Sequence, residues 1–155
     1  MSASQSHTPP GQSNSHREIA SFVAAFERCT LPCTQWNHRA HLTVGLWYSL
    51  AHPPHPALDL TRSGIQRFNR TCGWPTTATT GYHETLTVFW LWAIRQGIAS
   101  APPGAPITAL WPDITSGGFS DKTYPFAYYS RDRLMSWEAR VSWLPPDIKP
   151  LQDFQ

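Results

Sequence analysis

Residues 82–96 have the sequence YHETLTVFWLWAIRQ, in which Thr87 alone interrupts the apolar run from Leu86 to Ile94. Apolar side chains fall on every side of a helix drawn through the middle of this segment, as in a helix surrounded by other helices. Its β-branched and aromatic content would also suit a buried strand. Because an alternation of period two is absent and the run exceeds the usual strand length, we predict a buried helix from about Tyr82 to Gln96.

Three amphipathic patterns precede this segment and predict three more helices. Asn37 is a suitable N-cap for the second of them, and Gly73 is suited to follow the end of the third. The predicted helices run from about Arg17 to Cys29, from near Asn37 to His52, and from Ala57 to Thr71.

The chain after the buried helix contains a long segment, 98–124, rich in Pro, Gly and Ser. A connection of this length usually has a task, such as a lid or a binding loop. Ser130 and Ser136 are then placed to cap two short helices, 131–135 and 137–143, and residues 144–155 are expected to dock in extended form. We therefore predict a compact all-α bundle with four main helices and short C-terminal helices, one domain over residues 17–155 after a disordered tail, 1–16.

Composition excludes several classes of function. Charged residues make up 14% of the chain, against about 25% in a typical domain. The net charge of +2 is small and scattered, which does not favour a nucleic-acid partner. The N-terminus has no apolar core of a signal peptide and the longest apolar run is less than half a membrane span, so no membrane association is expected. Many Trp residues and few charges leave open a homo-oligomer formed through an apolar surface.

The three cysteines, Cys29, Cys33 and Cys72, are an odd number, which is not typical of a disulfide scaffold. A metal clip of Cys29 and Cys33 and a nucleophilic Cys72 are alternatives with little local support. Buried small hydrophobic residues are the simpler interpretation. The expected location is therefore the cytoplasm.

His38 and His41 lie three residues apart near the predicted start of the second helix, so their imidazoles project from one face. Such a pair is able to share a metal ion, as i, i+3 ligand pairs do in other helical bundles. The alternative is two independent histidines, one packed against the core and one in solvent.

A second polar block, GYHET at residues 81–85, opens the buried helix. The helical stripe of apolar residues places His83 toward the interior. Glu84 is the only acidic residue between Asp59 and Asp113, and a carboxylate leading into an apolar helix must be paired, bound to a metal or exposed. A first-turn Glu that complements the helix dipole is the plain alternative for Glu84.

If the second and fourth helices bring their N-terminal ends together, His38, His41 and His83 provide three nitrogen ligands with an open position for water or substrate. Glu84 is then a fourth ligand or the catalytic base that acts on bound water. The ion would be a single divalent metal, Zn²⁺, Fe²⁺, Mn²⁺, Ni²⁺ or Cu²⁺.

Three blocks, W-x-H-x-x-H-L at residues 36–42, GYHET at residues 81–85 and Y-S-R-x-x-L at residues 129–134, resemble a group of short bacterial proteins whose function is unknown. The resemblance covers about residues 18–151. It implies a shared fold and a shared site, and it supplies no reaction.

Other polar residues are candidates for substrate binding. Arg131 or Arg133 would hold an anionic group by a two-pronged hydrogen bond, with Tyr129 beside them, although a surface helix start is the plainer interpretation. Asn69 would orient a ligand or cap a chain end. Four tryptophans would line a pocket for a flat apolar molecule or belong to the core: Trp36, Trp47, Trp90 and Trp92.

Two classes of function follow. The first is a metal-dependent enzyme acting on a small molecule, with hydrolytic or lyase chemistry preferred and oxygenase chemistry if the metal is redox-active. The alternative is a non-catalytic helical protein that binds a small ligand or cofactor, or a structural protein with histidines in its core.

Overall fold

A computed structural model describes residues 15–154 as seven α-helices and three short 3₁₀ turns, with no β-strand in this part of the chain. The predicted all-α class is confirmed. The helices are α1 (His16–Glu27), α2 (His38–Ala51), α3 (Pro54–Thr71), α4 (Glu84–Ser100), α5 (Ile107–Ser116), α6 (Arg131–Leu134) and α7 (Trp137–Val141). The 3₁₀ turns are Cys33–Gln35, Gly118–Ser120 and Tyr124–Ala127.

Helix α4 lies inside the bundle, in contact with α2, α3, α5 and α7. Its buried side chains surround its axis, as the apolar run predicts: Val88, Phe89, Leu91, Trp92, Ala93 and Ile94. At Gly45 of α2, an added Cβ would lie 2.7 Å from Cδ1 of Ile94, so the two helices approach closely at this glycine. Within residues 15–154, no helix, α4 included, is long and apolar enough to cross a lipid bilayer.

Polar side chains cap the helices at the positions that the sequence predicts. Oδ1 of Asn37 accepts a hydrogen bond from the backbone N–H of Ala40 at 3.0 Å, and Ser130 and Ser136 cap α6 and α7 in the same way. Gly73 follows α3 with a φ of +72°, a left-handed conformation that favours glycine. These local signals determine where α2, α6 and α7 begin and where α3 ends.

Three helix starts differ from the prediction, and α4 begins at Glu84 rather than Tyr82 because His83 is its N-cap. Helix α3 begins at Pro54 rather than Ala57, because a proline in the first turn lacks only an N–H that would have no helical partner. Helix α1 begins at His16, so it extends one residue into the predicted tail, and Ser15 is its N-cap. Residues 1–14, the rest of that tail, lie outside the described residues.

Helix α5 lies within the segment 98–124, and α4 extends to Ser100, so the prediction of one long connection is wrong for residues 98–100 and 107–116. Four buried side chains of this helix follow the spacing i, i+3, i+4, i+7: Ile107, Leu110, Trp111 and Ile114. The signal was therefore present in the sequence. Pro112 inside the helix and the prolines ahead of it obscured the pattern, because proline ordinarily disrupts a helix interior.

The segment after α7 docks in extended form, as expected. Leu151 is buried against the core, and Nε1 of Trp92 donates to the backbone carbonyl of Gln152 at 2.7 Å. The rings of Trp143 and Phe154 stack with their centroids 4.8 Å apart. The C-terminal segment is thus part of the packed structure through Phe154.

A disulfide joins Cys33 to Cys72, with 5.9 Å between their Cα atoms, and Cys29 is free. The expectation that the cysteines form no disulfide is wrong, because the odd cysteine is simply left over. The bond ties the turn before α2 to the end of α3. Since disulfides are typical of oxidising compartments, it removes the argument that led to the cytoplasm, and the location stays a prediction.

Candidate ligand cavity

A cavity of about 690 Å³ opens between α2, α3 and α4. Its wall is mainly aromatic and aliphatic, with side chains from Trp36, Ile65, Trp74, Leu86, Trp90, Leu91 and Ile94. The histidines at positions 38, 41 and 83, Asn69 and Lys122 are among its polar lining residues. A concave apolar site of this volume with few polar groups is typical of small-molecule binding.

Two of the four tryptophans proposed as pocket walls, Trp36 and Trp90, do line the cavity. The other two, Trp47 and Trp92, pack in the core clusters. Trp74 lines the cavity and was missed, because it lies in a loop where helical periodicity carries no information.

His41 presents a hydrogen-bond acceptor toward the cavity. Its Nδ1 lies 2.7 Å from the carbonyl oxygen of Asn37, and because a carbonyl only accepts, Nδ1 carries the proton and Nε2 keeps a lone pair. Burial lowers the pKa of His41 to about 4, so the ring is neutral at pH 7. The ring packs on Trp36, with 4.1 Å between centroids.

His38 is the opposite tautomer, with its proton on Nε2 rather than on Nδ1. Its Nε2 donates to the carbonyl oxygen of Phe119 at 2.7 Å, which leaves the lone pair on Nδ1. Burial lowers the pKa of His38 below its usual value. Its ring lies edge-on to Trp90, with 4.6 Å between centroids. The two i, i+3 histidines therefore line one cavity, each with one nitrogen that makes no hydrogen bond within residues 15–154.

His83 lines the same cavity, but backbone groups engage both of its nitrogens. It is the N-cap of α4, where Nδ1 accepts from the backbone N–H of Leu86 at 3.1 Å. Nε2 donates to the carbonyl oxygen of Leu134 at 2.8 Å. Burial lowers the pKa of His83, as expected for a neutral capping ring. The sequence reasoning missed this capping role because His is a less usual N-cap than Ser, Thr, Asp or Asn.

The three predicted metal ligands thus share a cavity, yet His83 would have to give up a backbone partner to bind a metal. Across the described residues, no group of three or more His, Cys, Asp or Glu side chains is arranged to hold a metal ion. Of the three histidines, only His38 and His41 keep a nitrogen without a hydrogen bond to the described residues.

Glu84 faces away from this cavity and lines a second one. Its carboxylate accepts a bifurcated hydrogen bond from Nε of Arg62, at 2.9 and 3.1 Å, another from Nη2 of Arg62 at 2.5 Å, and one from the hydroxyl of Tyr82 at 2.7 Å. Burial opposes ionisation, but the hydrogen bonds from Arg62 and Tyr82 outweigh it and hold the pKa of Glu84 below its usual value. Of the alternatives considered for this carboxylate, the paired one is observed, and Glu84 also lies in the first turn of α4, as the plain alternative expected. Its partner, on another helix, could not be identified from sequence spacing.

The cluster after the long segment supports the C-terminal chain rather than the cavity. The hydroxyl of the fully buried Tyr129 donates to the carbonyl of Leu144 at 2.6 Å, and Nε of Arg133 donates to the carbonyl of Pro145 at 2.6 Å. The guanidinium of Arg131 lies over the ring of Phe126. None of the three lines the cavity.

Asn69 does line the cavity, from α3. Its side chain is only 9% exposed, and it makes no side-chain hydrogen bond with any residue between 15 and 154. Its carboxamide atoms are not among the fully buried polar atoms of the described residues that lack a partner, so they are open to the cavity and available to a ligand there. Of the four residues proposed for substrate binding, it is the one that faces the cavity.

The resemblance to the short bacterial proteins rests on the three sequence blocks alone. The chain matches no model of a protein family, and it shows no significant similarity to curated proteins or to solved structures.

Proposed function

We propose that the protein binds a small, flat, mainly apolar molecule that carries a hydrogen-bond donor, in the cavity between α2, α3 and α4. The observation that carries this proposal is His41, a neutral imidazole whose Nε2 lone pair has no partner within residues 15–154 and which lines an apolar cavity of about 690 Å³. A ligand donor that meets Nε2 would be oriented by it, and rings would pack on the tryptophans.

The other polar groups narrow the class of ligand. Nδ1 of His38 is a second acceptor, and the carboxamide of Asn69 is able to donate and accept. Lys122 on the lining disfavours a cationic molecule near the histidines, since its charge already lowers the pKa of both rings. A neutral or anionic phenol, enol or N–H heterocycle fits these groups.

The test compares two probes of nearly equal size, 2-naphthol and its methyl ether, by calorimetric titration of the full chain. The hydroxyl donates a hydrogen bond and the ether does not. We expect 2-naphthol to bind about five- to tenfold more tightly, the equivalent of one hydrogen bond to a buried acceptor. In His41→Phe, which keeps a ring of similar shape, the two probes should bind alike.

Two variants locate the binding site. Leu86→Trp narrows the cavity and should abolish binding of both probes, whereas Leu60→Trp, on the exposed side of α3, should leave it unchanged. Binding that survives Leu86→Trp, or a lack of binding by either probe and by N–H heterocycles such as carbazole, would overturn the proposal.

A metal-dependent enzyme is a second proposal, favoured by one observation: His38 and His41 are both neutral, and each has one nitrogen without a partner in the described chain. Neutral imidazole is the metal-binding form. The third ligand would come from the substrate, or from His83 after it releases Leu86 or Leu134. Hydrolytic or lyase chemistry is preferred, and a redox-active metal would favour oxygenase chemistry.

Metal binding is tested on the full chain carrying His7→Ala, which removes a tail histidine able to hold stray ions. After treatment with a chelator, the protein is titrated with Zn²⁺, Fe²⁺, Mn²⁺, Ni²⁺ and Cu²⁺. One equivalent of tightly held metal that is lost in a folded His38→Ala/His41→Ala variant would support the enzyme. No stoichiometric binding of any of the five would exclude it.

A further inference from the structure

Arg140 is a buried cation without a carboxylate partner. Its side chain on α7 is 4% exposed, yet both ion pairs found among residues 15–154 belong to Arg62, with Asp59 and with Glu84. Removing a charge from water without a counter-charge is expensive. Burial accordingly lowers the pKa of the Arg140 guanidinium from its usual value.

The hydrogen bonds of Arg140 occupy only one side of the guanidinium. Nη1 donates to the carbonyls of Gly81 and Tyr82, at 3.1 and 3.3 Å, whereas Nε is buried and has no acceptor among residues 15–154. Arg62 uses its own Nε and Nη2 to hold Glu84, the two-pronged geometry that suits carboxylate and phosphate oxygens. The corresponding edge of Arg140 makes no hydrogen bond with the described residues.

A second cavity, of about 570 Å³, lies beside this arginine. Arg62, Arg140 and Glu84 are the charged residues on its wall, so the wall has a net charge of +1, and the hydroxyl-bearing Ser142 and the indole of Trp143 lie beside them. The carboxylate of Glu84 is paired with Arg62 and hydrogen-bonded to Tyr82, so its negative charge balances Arg62 rather than Arg140. Asp59, the second partner of Arg62, does not line this cavity, so on the wall itself the positive charge without a paired carboxylate is that of Arg140.

We propose that this second cavity is a binding site for a small oxyanion, a carboxylate or phosphate group, held by the guanidinium of Arg140. The site is separate from the apolar cavity and independent of the function proposed for it. The two share a wall, residues 81–84, in which Tyr82 lines both cavities. The oxyanion would supply the counter-charge that residues 15–154 do not provide at Arg140.

The probes are inorganic phosphate and acetate, added to the full chain at constant ionic strength with KCl as the reference salt. We expect saturable binding of one equivalent, a rise in melting temperature beyond that given by KCl, and a shift of the Arg140 Nε–H resonance in proton–nitrogen spectra. Stronger binding of acetate would identify a carboxylate ligand, and stronger binding of phosphate a phosphorylated one.

Three variants test the site. Arg140→Lys keeps the charge and loses the two-pronged edge, so the binding constant should fall at least tenfold. Gln66→Glu places a carboxylate on the exposed part of the same wall, and it should raise the melting temperature without phosphate and remove the effect of phosphate. Arg67→Met removes an exposed charge from the same helix as Gln66 and should bind phosphate like the parent.

A parent protein that binds neither probe more than chloride would overturn the proposal, and so would equal phosphate binding by Gln66→Glu and the parent. Gln66 is exposed, so its variant is expected to fold even if substitution of Arg140, which also holds the carbonyls of Gly81 and Tyr82, does not.

Discussion

Each of the three histidines around the apolar cavity makes a hydrogen bond to a backbone carbonyl, and that contact fixes its tautomer in the neutral state. The carbonyls that meet His38 and His83 belong to Phe119 and Leu134, far along the chain. The rings therefore join the cavity to the C-terminal third of the structure. A substitution that removes one of them changes stability as well as the site, and the two effects have to be measured separately.

His83→Ala is expected to lower the free energy of unfolding by about 2 kcal/mol, about one from the lost N-cap of α4 and about one from the lost bond to Leu134. His83→Asn retains a capping oxygen but does not reach Leu134, so it should lose about half as much. Urea unfolding of both variants measures the difference. If both lie within 0.5 kcal/mol of the parent, the capping role assigned to His83 is wrong.

His41 makes stability depend on pH. The folded protein keeps its ring neutral down to about pH 4, whereas the unfolded chain takes up a proton near pH 6.5. The stabilisation is complete above pH 6.5 and is lost as the pH falls from there toward 4, by about 3 kcal/mol at most.

The measurement is urea unfolding at pH 7.5, 6.5, 5.5 and 4.5, for the parent and for His41→Phe. The remaining groups, His38 and Glu84 among them, titrate in both proteins, so the difference between the two curves reports His41 alone. A constant difference across this range would show that His41 is protonated as readily in the folded protein as in the unfolded chain.

The site could be predicted from the sequence only in part. Spacing on one helix placed His38 and His41 on the same side, because helical geometry alone decides which residues share a face, and both line the cavity. The direction in which Glu84 points depends on Arg62, a residue of another helix, and no local pattern contains that information. The same holds for Trp74 and Lys122, which reach the cavity from loops.

Helices were predicted well where a capping residue marked their start, as in α2, whose amphipathic pattern agrees with Asn37, and in α6 and α7, which were predicted from their serine caps. They were missed where proline contradicted the pattern, as in α5. The side chains of that helix are buried and stabilise it through tertiary contacts, which outweigh the cost of Pro112.

The contact between α2 and α4 depends on Gly45. Gly45→Leu should destabilise the protein by about 1–3 kcal/mol, although leucine favours a helix more than glycine does, because Cβ alone would already lie 2.7 Å from Ile94. Thermal or urea unfolding gives the value. Ala51→Leu, at the exposed end of the same helix, is the control and should stay within about 0.5 kcal/mol of the parent. Equal effects at the two positions would mean that the helices have room to separate.

The disulfide between Cys33 and Cys72 closes a covalent loop of the chain, and this loop contains α2 and α3. The two cysteines are three and two residues ahead of Trp36 and Trp74, both of which line the apolar cavity. The bond therefore joins the two segments, together called the rim, that carry Trp36 and Trp74 to the cavity. Its loss should affect the stability of the molecule and the affinity of the cavity together.

For a sequence separation of 39 residues, loss of loop-closure entropy in the unfolded chain predicts that Cys33→Ser/Cys72→Ser lowers the free energy of unfolding by about 4 kcal/mol. The melting temperature should fall by about 10 °C, and 2-naphthol should bind more weakly because the rim is no longer held. Cys29→Ser, which removes the free thiol, is the control and should change neither property by a comparable amount. Reduction of the parent with a dithiol should reproduce the double variant. A double variant as stable as the parent would mean that the packing of α2 and α3 holds the rim without the covalent bond.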